Sequence, residues 1–192
     1  MPAPVVLVLI GGAPGTGKTT LGQRIAGEFA LPLFSKDTLK EVLFDTLGWS
    51  DVAWSRRLGV ASVALLFSIA AAQLAAGRSL ILESNFRPEF DTPRVLELLR
   101  QWPAVPIQCF CQAAPDVVAR RFQQRWEAGV RHPGHVEHEQ IDTFAATHLQ
   151  QHYAPLEIGG TCFELDTTDF ATLELAPVLA AIRAALAGAA AE

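Results

Sequence analysis

Short, unbroken apolar runs alternate with segments whose apolar residues recur at helical spacing from one end of the chain to the other. Val5 to Ile10 is the first run. It is β-branched and has no polar interruption, the pattern of a strand buried on both faces of a parallel sheet. Leu31 to Phe34, Leu80 to Leu82, Val105 to Phe110 and Thr161 to Leu165 repeat it. Between these runs, Leu21, Ile25 and Phe29 share one helical face, as do Leu39, Val42, Leu43 and Leu47, and then Val95, Leu98, Leu99 and Trp102. Leu179, Ile182 and Leu186 do the same after Pro177, a residue suited to a first helical turn. Val60 to Ala76 reads as a buried helix. It is at or below bilayer-spanning length, and Ser62, Ser68 and Gln73 interrupt it. Strands separated by helices predict right-handed βαβ units, hence an α/β three-layer sandwich around a parallel, five-stranded sheet. No linker or repeat divides the chain, so residues 1–192 form a single domain.

The junction between the first strand and the first helix carries chemistry. Gly12-Ala13-Pro14-Gly15-Thr16-Gly17-Lys18-Thr19 satisfies G-x-x-x-x-G-K-[ST], with Thr20 following in the helix. Glycines let successive backbone N–H groups turn inward around a phosphate, and a helix beginning near Lys18 adds its positive end. Lys18 then reaches the β- and γ-phosphates and the Thr19 hydroxyl ligates Mg²⁺. ATP and Mg²⁺ are the expected cofactors.

Composition narrows the rest. A chain of 192 residues and 20.7 kDa, half hydrophobic and 18% charged, is no disordered segment. A net charge of −5 removes any global attraction to nucleic acid or anionic membranes. Three cysteines, an odd number, suit a reducing compartment, and no basic n-region precedes the first apolar run. The expectation is a soluble, cytoplasmic protein.

Four further segments follow in order. Ser35-Lys36-Asp37 ends the second strand, where a parallel sheet gathers its functional groups. A carboxylate there can take the proton of an attacking hydroxyl; Asp37 is equally suited to cap the next helix. Leu80-Ile81-Leu82-Glu83 ends a third strand in an acid, and Asn85 and Arg87 follow it. Pro115-Asp116 opens a helix with Arg121 and Arg125 at i, i+4, leading into the breaker-rich stretch Gly129 to His135, which holds Arg131. Last comes Asp166-Thr167-Thr168-Asp169.

This ordering resembles the small phosphate-loop kinases, in the branch that includes chloramphenicol phosphotransferase, zeta-toxin kinases and the kinase domain of polynucleotide kinase, among the AAA-type predicted kinases. The resemblance implies that Asp37 is the base and that Glu83 holds Mg²⁺ through water, in a place where these kinases more often carry aspartate. It implies that residues 115–138 are a helical lid whose Arg121 and Arg125, with Arg131, meet the transferring phosphoryl. Asp166, Thr167 and Thr168 become base-side candidates, with Arg121 and Thr168 counted among the ATP-binding residues. The implied activity is transfer of the γ-phosphoryl of MgATP to a hydroxyl of a small molecule. Nucleotides or 5′-hydroxyl nucleic-acid ends are the alternative acceptors, and a non-kinase NTPase switch is the alternative class. With 15 Lys+Arg against 20 Asp+Glu, a nucleic-acid acceptor is not favoured.

Other residues invite readings of their own. His132, His135 and His138, with His148 and His152, suggest a metal, but no H-E-x-x-H accompanies them. Contact of His132 or His135 with substrate or phosphate fits better. Cys109 and Cys111 share a strand face and read as core. Trp102 and Trp126 suit either core or pocket. Trp49 and Trp54, set between helical segments, either pack the core or line a partly hydrophobic acceptor pocket. The acceptor's identity and the oligomeric state are not legible.

Overall fold

Five parallel strands pair in the order β2-β3-β1-β4-β5. They are β1 (Val6–Gly12), β2 (Leu33–Ser35), β3 (Leu80–Glu83), β4 (Val105–Gln112) and β5 (Thr161–Asp166). The computed structural model describes residues 4–129, 131–135 and 153–188, without the Trp126 side chain. The expected lid residues 136–138, with His138, His148 and His152, lie outside the described residues.

The placement of β1 at the centre explains why it is apolar at every position. Val6, Val8 and Ile10 face Leu21 and Ile25 of α1 (Lys18–Phe29) and Val178 and Ile182 of the last helix, α6 (Ala176–Ala187). Leu7 and Leu9 face the opposite way, onto Leu66, Ala70 and Leu74 of α3 (Val52–Ala75) and Val95 and Leu98 of α4 (Pro88–Gln101). Two helical layers thus enclose one sheet, as the run pattern predicts. Cys109 and Cys111 lie in the first of these cores, as read from the sequence. Burial pushes the Cys111 thiol up to about 12, which makes it inert. Among the described residues the remaining helices are α2 (Lys36–Leu47) and α5 (Pro115–Glu127), with a 3₁₀ turn at Pro133–His135.

One helix, α3, differs from expectation. α3 begins at Val52, not near Val60, because Asp51 caps it, accepting a hydrogen bond from the Trp54 amide at 2.8 Å. Trp54 is therefore inside a helix and not between two. Nor is α3 buried all round. One stripe, Ser55-Leu58-Ser62-Leu66-Ala70-Leu74, faces the core, while Val60 is 71% and Leu65 42% exposed. Ser62 sits in the stripe because its hydroxyl donates back to the Leu58 carbonyl at 2.8 Å. Among the described residues α3 is the one helix long and apolar enough to cross a membrane, and it packs against the sheet.

The chain runs from β1 to the edge strand β2, returns to β3 beside β1, then crosses to β4 on the other side. The loops at the carboxyl ends of β1 and β3 therefore diverge, and a crevice opens between them.

Candidate active site

The loop after β1 turns tightly on its glycines. Gly12, Gly15 and Gly17 all have positive φ, where side chains are strained. They are also hemmed in: a Cβ on Gly12 would sit 2.2 Å from the Cys111 carbonyl oxygen, and one on Gly17 would meet the Phe170 ring at 2.5 Å. Gly17 sits at the N-cap position of α1, which opens at Lys18. Lys18 is buried and donates to the Ala13 carbonyl at 2.8 Å, and the Thr16 hydroxyl donates to the same oxygen. Burial holds the Lys18 ammonium below the usual lysine range, with Glu83 and Asp37 pulling it back up. A triphosphate would complete the charge balance that these carboxylates only begin.

Glu83 ends β3 opposite Ile10 of β1 and Ser35 of β2. Its Oε2 accepts a hydrogen bond from Thr19 Oγ1 at 3.3 Å. A hydroxyl and a carboxylate, both hard oxygen donors, thus meet beside a phosphate loop, a donor pair that fits Mg²⁺.

Asp37 is not the helix cap. α2 starts at Lys36, Ser35 holds the cap position, and Asp37 lies in the first turn. Its carboxylate is free of capping duty and takes two cations, Lys36 Nζ at 3.2 Å and Arg131 Nη2 at 3.0 Å. Burial works against the charge, but Lys36, Arg131, His135 and Lys18 together hold the carboxyl far below the ordinary range. Asp37 is ionised at any working pH.

Arg131 reaches Asp37 because residues 131–135 form a strap laid along α2. His132 stacks on Phe44 with ring centroids 5.0 Å apart, and His135 meets the same ring edge-on at 5.2 Å. Gly134 lies so close that a Cβ would come within 2.7 Å of the Phe44 ring. His132 Nδ1 accepts from the Gly134 amide, so its Nε2 carries the proton and donates to Asp45 Oδ1 at 3.2 Å. His135 Nε2 is 3.0 Å from Glu41 Oε1. The two histidines thus pair with carboxylates of α2, and no cluster of three or more metal-binding side chains occurs among the described residues.

On the far side, α5 leans on the phosphate loop. A Cβ on Gly15 would meet Phe122 at 2.7 Å and Val118 at 2.9 Å. Arg121 bridges three segments, donating to the carbonyls of Gly15 at 3.3 Å, Thr167 at 2.7 Å and Thr168 at 3.2 Å. Its guanidinium also lies over Phe170, while that of Arg125 lies over Phe122. The polar cluster after β5 does structural work. Thr167 is fully buried, with its hydroxyl within hydrogen-bond reach of the Thr16 and Gln112 carbonyls. Thr168 Oγ1 accepts from the Ala114 amide, and Asp166 accepts from the Thr168 amide.

These parts line one open cleft of about 520 Å³. Lys18, Thr19, Thr20, Asp37, Glu83, Asn85, Arg121, Arg125 and Arg131 all border it, and so does Glu41, which sequence reasoning missed. The signal for Glu41 was its position one turn after Asp37 on the same helix face. Thr168 borders a separate, neighbouring depression. Arg87 packs over Phe90 instead of entering the cleft. Neither Trp49 nor Trp54 borders it: Trp49 meets His132, and the Trp54 indole donates to the Gly48 carbonyl.

Residues 7–150 match the family model described as AAA domain. The chain belongs to this AAA domain family. A solved structure of a candidate kinase from Chloroflexus aurantiacus J-10-fl is similar to it at 40% identity and a TM-score of 0.84, covering 95% of this chain and 99% of the other. More distant likenesses establish the fold alone. A sugar kinase from Janibacter sp. HTCC2649 shares 20% identity over 98% of this chain and 99% of its own, with a TM-score of 0.55. A gluconokinase from Sinorhizobium meliloti 1021 shares 18% over 98% and 93%, with a TM-score of 0.52. No curated protein matches in sequence. The AAA domain here is thus a phosphate-loop NTPase fold with a cleft built at its switch point.

Proposed function

We propose that the protein is a phosphotransferase that moves the γ-phosphoryl of MgATP to a hydroxyl of a small-molecule acceptor. The observation that carries this reading is a carboxylate with no capping duty, Asp37, in the same cleft as Lys18 and Thr19 of the phosphate loop. A carboxylate so placed can take the proton of an attacking hydroxyl aimed at the γ-phosphorus. The similarity to the Chloroflexus candidate kinase supports the same class.

The loop N–H groups and Lys18 hold the β- and γ-phosphates. Thr19 and Glu83 would hold Mg²⁺, which supplies charge neutralisation on those phosphates when bound. Asp37 accepts a hydrogen bond from the acceptor hydroxyl and aims its oxygen at the γ-phosphorus. As the new P–O bond forms and the bond to the ADP oxygen breaks, the acceptor oxygen becomes acidic and its proton passes to Asp37. A carboxylate so strongly ionised takes that proton late, which suits a loose transition state. Arg121 and Arg125, with Arg131, border the path of the phosphoryl and would stabilise its equatorial oxygens. The three cysteines are free thiols, as a reducing cytoplasm would keep them.

The test is ADP release from MgATP with and without pooled hydroxyl compounds, for the native chain and Asp37→Asn. Acceptor stimulation should fall by about 10²-fold or more in the variant, with ATP affinity little changed. Slow hydrolysis that no acceptor stimulates, indifferent to Asp37→Asn, would instead mark an NTPase switch.

A further inference from the structure

The cleft has two chemically different ends. Phe122 and Phe170 lie at one, against Gly15 and Gly17 of the phosphate loop. The other end, around Asp37, is bordered by Glu41, Asn85 and Arg131 and by no aromatic or large aliphatic side chain among the described residues. Among the described residues no tryptophan lines that end: Trp49 and Trp54 turn to His132 and Gly48. The described residues around Asp37 offer an apolar acceptor no surface to lie on.

Charge narrows the class further. Asp37 and Glu41 stand at i, i+4 on α2, so their side chains emerge side by side, about 5–6 Å apart at Cβ. An anionic acceptor would face the two carboxylates Asp37 and Glu41 at this end, and the Arg131 guanidinium beside them already pairs with Asp37 at 3.0 Å. An amine acceptor fares no better, since Lys36 and Arg131 already flank Asp37. What remains is a neutral compound that donates hydrogen bonds to carboxylates.

Glu41 is built to receive one. His135, with its side chain 5% exposed, holds Oε1 from behind at 3.0 Å and fixes the carboxylate's direction. Oε2 has no hydrogen-bond partner among the described residues. Resting on the phosphotransfer reading above, we infer that the acceptor is a neutral polyol, with one hydroxyl on Asp37 and a second on Glu41, which makes Glu41 the specificity-determining residue. The hydroxyl on Asp37 is the one phosphorylated, losing its proton to Asp37 as ADP leaves; the hydroxyl on Glu41 only holds the acceptor in register.

The experiment measures acceptor-stimulated ADP release with glucose, ribose and sorbitol as polyols. Propan-1-ol, gluconate, glucosamine and a 5′-hydroxyl oligonucleotide serve as the monohydroxy, anionic, cationic and nucleic-acid counterparts. At least one polyol should stimulate most strongly. Glu41→Gln should then raise the KM for that polyol about tenfold or more, as expected for loss of a hydrogen bond to a charged group. The variant's kcat and KM for ATP should stay within about twofold. Strongest stimulation by a monohydroxy, charged or nucleic-acid acceptor overturns the inference, as does stimulation by no polyol at all. A rise in KM for ATP and for every acceptor alike in Glu41→Gln also overturns it, because that is strap damage and not recognition. Asp37→Asn separates these failures from failure of the phosphotransfer reading. If it leaves ADP release unchanged in every arm, that reading falls as well; if it abolishes stimulation by a non-polyol, only the acceptor class was wrong.

Discussion

His132 and His135 lie three residues apart in one short turn, yet their surroundings give them different chemistry. The His132 ring is held at Nδ1 by the Gly134 amide and turns Nε2 toward exposed Asp45. His135 is buried, and burial with Arg131 alongside pushes its pKa down to about 3, although Asp37 works the other way. Its folded value is thus below that of the unfolded chain, near 6.5. As pH falls below 6.5, the unfolded chain takes up a proton that the native ring refuses, so stability is lost progressively from there toward about 3. Glu41, raised by burial, has the opposite sign and offsets part of the loss at the acidic end. His135→Gln keeps a polar side chain beside Glu41 and cannot titrate. Its melting temperature should therefore fall less than the native chain's between about pH 7.5 and pH 5. Equal falls in both chains would mean that His135 does not titrate between the folded and unfolded states.

At the level of elements, the phosphate loop and the strap represent the two extremes of legibility. The loop was readable because its chemistry is local: glycines with positive φ, a lysine and a threonine fall within eight consecutive residues between a strand and a helix. The strap was not, because its meaning depends on partners 94 positions away, Asp37 for Arg131 and Glu41 for His135. Acids at 37, 41 and 45 look like a solvated helix face, and bases at 131, 132 and 135 look like lid or metal residues. Only their pairing shows that one face was made for the other. Gly134 is the joint that permits it. Gly134→Ala should drive its new methyl into Phe44, which is 1% exposed and cannot retreat. The expected cost is about 1–3 kcal/mol, read as a drop of roughly 2–4 °C in Tm per kcal/mol. A Tm unchanged from native would mean that the strap does not pack on α2. The same distance effect explains α3: its composition announces a buried helix, but burial on one stripe only depends on how many elements surround it.

For the molecule as a whole, the strand order was recoverable in kind but not in sequence of neighbours. Apolar runs predict parallel strands, and nothing in them says that β3 lies between β1 and β2. The tie that unites the sheet's two halves with the site was equally hidden. Asp166-Thr167-Thr168 reads as a polar turn near the nucleotide base, whereas Thr167 in fact joins the phosphate loop at Thr16 to the end of β4 at Gln112. Thr167→Val keeps the shape and removes the hydroxyl from a fully buried position. It should cost about 1–3 kcal/mol of stability and weaken ATP binding measured by calorimetry, with Lys18 still in place. Unchanged ATP affinity would confine Thr167 to holding the sheet.

That same threonine sets a timetable for the nascent chain. Thr16 is synthesised 151 positions before its hydrogen-bond partner. At 5–20 residues per second, roughly 8–30 s of translation separate the two. Throughout that interval the phosphate loop exists without the Thr167 hydroxyl that meets the Thr16 carbonyl. The phosphate loop therefore reaches its full set of contacts only when β5 and the turn after it, with Thr167 and Phe170, have emerged.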